Sequence, residues 1–179
     1  MRDDIISCRL CDLCKSRKKA VPGEGNMHAK LMFIGEAPGR IEDEIGRPFV
    51  GTAGKILDQV LENVGIFRSE VFITNIVKCR PPANRVPTDE ERNMCRQFLD
   101  IEIKLVSPKI ICILGRTALN SIFASWGKSI LQSRGKFINH DFTRYFLTIH
   151  PAAVIYNPKL RIVLEKDLSI LSEEYKRLA

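Results

Sequence analysis

The sequence predicts an α/β fold: a three-layer α/β/α sandwich around a central, mainly parallel four-stranded sheet. Apolar segments alternate with amphipathic ones along the chain, and four of them have the length of a strand. Strands that are apolar throughout are typical of parallel sheets, because helices cover both faces of such a sheet. The four predicted strands are residues 30–35, 70–75, 109–115 and 145–150.

The segments between the strands predict the covering helices. Residues 53–64 place apolar side chains on one helical face, and Gly65 follows where a C-cap is expected. Thr88 and Glu91 have the spacing of a capping box, which predicts a helix that begins there and extends to about Val106. Two further helices are predicted over 117–123 and 160–178.

Length and composition indicate one domain, residues 1–179, with an N-terminal arm of about 25 residues. The chain is 45% hydrophobic and 27% charged, which excludes a disordered or collagen-like protein. With 28 Lys and Arg against 21 Asp and Glu, its net charge of +7 favours a polyanionic partner. Because neither a membrane-spanning run nor a signal-like stretch is found, we expect a cytoplasmic monomer without a membrane partner.

Most of the six cysteines stand at positions that suit metal ligation. Residues 8–14 read C-x2-C-x2-C, and such a turn can bring two thiolates to one metal ion or cluster. Cys79 follows the second predicted strand, and Cys95 falls inside a predicted helix. Two pairs from distant parts of the chain would fix the N-terminal arm to the domain, and their spacing fits zinc as well as iron–sulfur. Cys112 lies in the middle of a strand and is predicted to be a core thiol.

Polar side chains follow three of the predicted strands. Glu36 comes directly after the first strand, Asn75 ends the second, and His150 ends the fourth. Ligands of open α/β sheets bind at the carboxyl ends of strands, so these three side chains are expected to converge. Taken singly, each also has a structural explanation as a turn or core residue. Phe49, in a glycine-rich loop, suits either stacking on a flat ring or filling the core.

Three basic segments suit contact with phosphates, because they combine Lys and Arg with glycine or proline in predicted loops. They are residues 15–19, 78–85 and 133–136. The candidate phosphate-contacting side chains are Arg80, Arg85, Arg134 and Lys136.

Together these motifs resemble the family 4 uracil-DNA glycosylases, the thermostable iron–sulfur branch of that superfamily. The resemblance runs from Cys8 to about Pro158, and the motifs stand in the family's order. A related family has Gly-Leu-Ala-Pro-Gly as its first motif and lacks the carboxylate of Glu36. The motifs are the C-x2-C arm, GEGN at 23–26, GEAPG at 35–39, GRPFVG at 46–51, TNIVKCRPP at 74–82, RGK at 134–136 and HPA at 150–152.

The resemblance implies a structural [4Fe-4S] cluster held by Cys8, Cys11, Cys79 and Cys95. Cys14 is a departure, because the family needs only four ligands. The distance from Cys11 to the GEGN motif favours the Cys8/Cys11 pair, and Cys11/Cys14 remains the alternative.

The resemblance also implies an enzyme that flips deoxyuridine out of single- or double-stranded DNA and hydrolyses its N-glycosidic bond. The products would be free uracil and an abasic site. His150 would donate a hydrogen bond to uracil O2, and Glu36 would orient water or stabilise the cationic sugar. Asn75 would read the O4/N3 edge of the base.

The remaining uracil-binding residues implied by the resemblance are Ala37, Glu42 and Phe49. Phe49 would stack on the base, and Glu42 would crowd its C5 position and exclude the methyl group of thymine. Residues 152–156 would fill the gap that the flipped nucleotide leaves in the duplex.

Two other functions are compatible with part of the sequence. A zinc-binding nucleic-acid module without catalysis would explain the charge and the cysteines, but not the polar residues at the strand ends. A redox iron–sulfur enzyme would explain the cysteines, but not the three basic segments.

Overall fold

The computed structural model describes residues 1–123, 129–140 and 143–178. Its strands are β1 (Glu24–Gly25), β2 (Leu31–Gly35), β3 (Phe72–Asn75), β4 (Ile110–Leu114), β5 (Lys136–His140) and β6 (Thr143–Thr148). Its α-helices are α1 (Arg2–Ser7), α2 (Leu13–Ser16), α3 (Arg40–Ile45), α4 (Thr52–Asn63), α5 (Asp89–Val106), α6 (Arg116–Ile122), α7 (Ile130–Ser133), α8 (Ala152–Tyr156) and α9 (Leu160–Lys176). Short 3-10 turns cover Arg68–Glu70 and Pro82–Asn84.

The strands form one mixed sheet in the order β1-β3-β2-β4-β6-β5. The four central strands are parallel, and they are the four that the sequence predicts. The described sheet has six strands rather than four, because β1 and β5 pair antiparallel at its two edges. The sequence did not indicate these edge strands, since β1 has only two residues and β5 lacks a buried apolar run.

Side chains alternate between the two faces of the sheet and enter two separate cores. On one face, Met32 and Ile34 of β2 pack with the apolar sides of α5 and α6. On the other face, Leu31 and Phe33 pack with α4 and α9. The chain therefore has the predicted α/β/α layers.

The longer helices match their predicted ranges within a few residues, and the capping box of α5 is present. Thr88 Oγ1 accepts from Glu91 N at 3.2 Å, and Glu91 Oε2 accepts from Thr88 N at 2.8 Å. Helices α1, α2, α3, α7 and α8 are too short to show a helical period in the sequence.

The N-terminal arm packs on the face of the sheet that α5 covers. Ile5 of α1 and Leu13 of α2 are buried in the same core as Phe98 of α5. This packing places the cysteines of the arm near those that follow β3. Among the described residues, no helix combines the length and the apolar character needed to cross a membrane.

Candidate active site and cysteine cluster

A pocket opens at the carboxyl ends of the parallel strands, as the sequence predicts. Glu36, Asn75 and His150 all line it, although they come from three different strand ends. The strand order places β2 between β3 and β4, so the chain adds β3 on one side of β2 and β4 on the other. Open α/β sheets bind ligands at such a change in the strand order. The other uracil-binding residues expected from the sequence also line this pocket: Ala37, Glu42 and Phe49.

Asn75 presents an unpartnered acceptor to the pocket. The residue is 2% exposed, and its Oδ1 atom is buried without a hydrogen bond among the described residues. Gly35 lies opposite in the parallel register, and a Cβ there would come within 2.5 Å of both Asn75 Oδ1 and the Phe49 ring. An unsatisfied buried carbonyl costs free energy, so its presence in a pocket indicates a site for a ligand donor.

Phe49 is buried at the pocket in a strained backbone conformation. Its φ of 52° lies in the left-handed region, which a phenylalanine rarely adopts. Arg68 stabilises this loop by donating to the main-chain oxygens of Phe49 at 3.0 Å and Pro48 at 2.6 Å. Arg68 is in turn paired with Asp58 of α4 at 2.9 Å. The Phe49 ring lies 5.7 Å from the His150 ring, centroid to centroid, with 32° between their planes.

His150 is held as a neutral donor. Its Nδ1 atom accepts a hydrogen bond from the backbone N of Ala152 at 3.1 Å, so the ring proton is on Nε2. Burial lowers the pKa of His150 to about 4, so the imidazole is uncharged at neutral pH. The pocket thus contains an Nε2–H donor in addition to the Asn75 acceptor.

Glu42 connects two loops of the pocket. Its Oε1 accepts from the backbone N of Gly51 at 2.7 Å and of Val50 at 3.0 Å, and the residue is 8% exposed. A Cβ on Gly39 would lie 2.8 Å from the other carboxylate oxygen. The carboxylate is therefore fixed beside Phe49, whereas Glu36 is half-buried at the rim.

The predicted phosphate-contacting residues have different surroundings. Arg85 lines the pocket and is exposed, and its guanidinium pairs with Glu91 at 2.6 Å. Arg80 is half-buried and donates to Asn84 Oδ1 at 2.7 Å. Residues 133–136 are not the continuous loop that the sequence suggested, since Ser133 ends α7 and Lys136 begins β5. The Arg134 side chain turns inward and pairs with Asp167 of α9, whereas Lys136 is exposed.

Five of the six cysteines line a second, mostly apolar cavity between the arm, the end of β3 and α5. They are Cys8, Cys11, Cys14, Cys79 and Cys95. Cys112 is buried in the core around β4, as predicted. The structure thus brings the two predicted pairs together, and it places Cys14 in the same cavity.

Nitrogen donors point at three of these sulfurs. Arg17 Nη1 lies 2.9 Å from Cys79 Sγ, the backbone N of Lys78 lies 3.3 Å from Cys95 Sγ, and that of Leu10 lies 3.5 Å from Cys8 Sγ. Hydrogen bonds to ligand sulfurs are a usual feature of iron–sulfur sites. The donor set and its surroundings therefore fit a cluster held by thiolates.

Burial raises the pKa of the Cys95 thiol to about 12. It also raises the pKa of Cys11 and Cys79. Metal binding would have to displace these protons, which couples the site to folding. Within the described ranges, no group of three His, Cys, Asp or Glu side chains is arranged to hold a single metal ion.

Three residues near the pocket were missed by sequence reasoning: Arg68, Lys78 and Glu102. Lys78 and Glu102 form a buried ion pair at 2.6 Å, although both residue types are normally exposed. Their partners lie far away along the chain, and no local pattern marks them. Lys78 was included in a basic loop, where its neighbours Arg80 and Arg85 made exposure the natural expectation.

The fold and the pocket define an α/β protein with a polar pocket at its strand ends, and comparison with known families identifies the class of enzyme. The model of the uracil DNA glycosylase superfamily matches residues 22–172, so the chain belongs to that superfamily. Similar curated proteins place it among the type-4 uracil-DNA glycosylases.

Three of these relatives show the extent of the similarity. The type-4 uracil-DNA glycosylase of Sulfurisphaera tokodaii is 46% identical over 97% of this chain and 82% of its own length. That of Archaeoglobus fulgidus is 42% identical over 95% of this chain and 89% of its own. That of Thermotoga maritima is 43% identical over 90% of this chain and 86% of its own length.

Proposed function

We propose that this protein excises uracil from DNA by hydrolysing the N-glycosidic bond, leaving an abasic site. The observation that carries this proposal is the buried Oδ1 of Asn75, which has no hydrogen-bond partner among the residues that the structure describes. It lies in a pocket that Phe49 and His150 also line. The relatives are named for this activity.

Asn75 distinguishes uracil from cytosine by hydrogen bonding. The free Oδ1 accepts from uracil N3–H, and the amide nitrogen of the same carboxamide donates to O4. Cytosine presents the opposite pattern, with an acceptor at N3 and a donor at N4, so it leaves both groups of Asn75 mispaired. Phe49 supplies an apolar ring against which the flipped base stacks.

His150 stabilises the leaving group. Cleavage of the glycosidic bond places negative charge on uracil O2, and a neutral Nε2–H positioned in advance can donate to it. The Ala152 amide holds the ring in this tautomer through Nδ1. A low pKa keeps the ring uncharged, so His150 acts as a hydrogen-bond donor and does not have to transfer a proton.

The two carboxylates have separate roles. Glu36, at the rim of the pocket, orients the attacking water or stabilises positive charge on the sugar. Glu42 is held by the Val50 and Gly51 amides and occupies space beside the base, where it excludes the methyl group of thymine. Ala37 contributes to the wall of the pocket between them.

The net charge of +7 and the basic and exposed apolar residues around the pocket support DNA binding. Arg80 and Arg85 lie in the segment that borders it, and Arg134 and Lys136 follow α7. Ile155 and Tyr156 of α8 are 46% and 88% exposed at the mouth of the pocket, where they suit insertion into the space of the flipped nucleotide. We expect the protein to act on DNA as a monomer in the cytoplasm.

Cys8, Cys11, Cys79 and Cys95 would hold a [4Fe-4S] cluster in the second cavity. When bound, the cluster supplies a covalent tie between the N-terminal arm and the segments around β3 and α5. Arg17 adds to this tie, because its guanidinium also donates to the main-chain oxygens of Ile6 and Cys8, each at 2.8 Å.

The test uses a single-stranded oligonucleotide with one uracil, followed by alkali cleavage at abasic sites. We expect strand cleavage with the uracil substrate and none with the matched thymine oligonucleotide. Asn75→Ala should remove most of the activity while the protein stays folded. Absence of free uracil after incubation with the wild-type protein would refute the proposal.

A further inference from the structure

Lys78 is a buried lysine beside the base-reading residue. Its side chain is 2% exposed, and its ammonium has three acceptors. Lys78 Nζ lies 2.7 Å from the main-chain oxygen of Asn75, 2.6 Å from Thr74 Oγ1 and 2.6 Å from Glu102 Oε2. An ammonium offers three protons, so each of them is used here.

Glu102 of α5 completes this buried network. Its side chain is 0% exposed, and its Oε2 also accepts from Thr74 Oγ1 at 2.7 Å. Its Oε1 accepts from the backbone N of Gly23 at 2.8 Å. One carboxylate therefore connects the N-terminal arm, helix α5 and the end of β3.

The backbone of Lys78 extends the network toward the cysteine cavity. Its N–H donates to Cys95 Sγ at 3.3 Å, and its carbonyl oxygen accepts from Val21 N at 2.7 Å. Cys79 is the next residue along the chain. Lys78 thus contacts the main chain of the pocket residue Asn75 on one side and the cysteine-bearing segments on the other.

Lys78 Nζ contacts the peptide that joins Asn75 to Ile76, directly beyond the paired register of β3 with β2. The N–H of this peptide donates to the Gly35 main-chain oxygen at 3.0 Å, and its carbonyl accepts from the Lys78 ammonium at 2.7 Å. Both polar groups of the peptide are therefore held, and its direction determines where the Asn75 side chain points. Stability alone does not require a buried ion pair, since apolar residues in its place are often equally stable.

Building on the proposed function, in which Asn75 reads uracil, we propose that the Lys78–Glu102 pair is a positioning device for the Asn75 carboxamide. Both residues act through Asn75 and touch no substrate. Glu102 accepts a hydrogen bond from Gly23, and Lys78 donates one to Cys95. The pair therefore also connects the cysteine-bearing segments to Asn75.

The test compares the wild-type holoprotein with the double variant Lys78→Met/Glu102→Leu. The double variant avoids the unpaired buried charge that either single change would leave. We expect a melting temperature and an iron absorbance close to wild type, and unchanged affinity for uracil-containing single-stranded DNA. The single-turnover rate of uracil release should fall by about tenfold or more, because a small misplacement of a reactive-site group has this effect.

The same double variant is then made in an Asn75→Ala background. If Lys78 and Glu102 act through Asn75, the second fall in rate is absent, because the two changes are coupled. Glu174→Gln serves as the control: it breaks the Arg144–Glu174 pair near the opposite edge of the sheet. This variant should leave the rate unchanged in both backgrounds.

Three results from a folded double variant would overturn the proposal. They are a wild-type rate, an equal fall in rate with and without Asn75, and a fall that missing iron fully explains. If the double variant does not fold, the single variant Glu102→Gln is measured instead. It should lower kcat and leave KM unchanged, and the fall in kcat should be absent in the Asn75→Ala background. A wild-type protein that releases no uracil would instead refute the proposed function itself.

Discussion

The guanidinium of Arg68 donates to the main-chain oxygen of Phe49, 3.0 Å away, and holds that residue at a φ of 52°. A phenylalanine would leave this left-handed conformation if its surroundings did not determine it. The 3-10 turn that carries Arg68 thus fixes the aromatic wall of the pocket without reaching the pocket itself.

Arg68→Met should therefore impair uracil excision more than it impairs folding. With the clamp removed, we expect the Phe49 loop to relax and the rate of uracil release to fall by about tenfold or more, since the stacking surface is displaced. Steady-state kinetics with a uracil oligonucleotide measures this effect. Arg96→Met, which removes a half-exposed arginine on α5, is the matched control and should behave as wild type. Full activity in Arg68→Met would show that Phe49 holds its position unaided.

Asn75→Asp should abolish most uracil excision. The change removes the amide donor and places a carboxylate against uracil O4, which costs on the order of 2–4 kcal/mol in a desolvated site. The excision rate on uracil oligonucleotides measures the effect. The variant is also expected to excise a trace of cytosine. Asn63→Asp makes the same chemical change at the exposed end of α4 and serves as the control. An active Asn75→Asp enzyme would mean that another residue reads the base.

The low pKa of His150 predicts a specific dependence of stability on pH. As the pH falls, the unfolded chain takes up the proton near pH 6.5, whereas the folded protein does so only near pH 4. The contribution of His150 to the free energy of unfolding is therefore present above pH 6.5 and is lost by pH 4, a difference of about 3 kcal/mol.

Urea unfolding of the wild type and of His150→Asn across this pH range measures that contribution as a difference. The variant should lack the part of the pH dependence that His150 supplies. Uracil excision should show no inflection near pH 6.5 from His150, because the ring stays neutral there. If the free energy of unfolding depends on pH in the same way in the wild type and in His150→Asn, the low pKa of His150 is wrong.

The cysteine cavity predicts which substitutions remove the brown colour of a cluster. Cys79→Ala and Cys95→Ala should give colourless, poorly folded protein, because ligation contributes to folding. Cys112→Ala, in the core away from the cavity, is the control and should stay coloured. Cys14→Ala should also stay coloured; bleaching in Cys14→Ala but not in Cys8→Ala would reverse the choice of ligand pair. Visible absorbance and iron content are the measurements.

The salt dependence of DNA binding tests the basic residues. Arg80→Gln, Arg85→Gln and Lys136→Gln should each reduce the slope of log K against log salt by about one unit, because each variant neutralises one phosphate fewer. Arg134→Gln should lower the melting temperature as well, because it leaves the buried Asp167 without its counter-charge. Unchanged slopes in all of these variants would place the DNA elsewhere on the protein.

Much of the site was predictable because its key residues lie at strand ends. The parallel arrangement of apolar strands was enough to bring Glu36, Asn75 and His150 to one edge of the sheet. The tautomer of His150 was not predictable, since it depends on the Ala152 amide beyond the strand. Nor was the inward turn of Arg134, whose partner Asp167 lies on a different element, α9.

The sequence by itself determined the four central strands, the main helices and the clustering of the cysteines. Local periodicity shows which face of each element is buried, and the short C-x2-C spacing is itself local. Only the tertiary structure decided that Lys78 and Glu102 are buried together and that Arg68 donates to the main chain of Phe49. It also decided that Asn75 Oδ1 has no hydrogen-bond partner within the described part of the chain. These contacts join residues from separate elements, and their energies depend on distances that packing alone establishes.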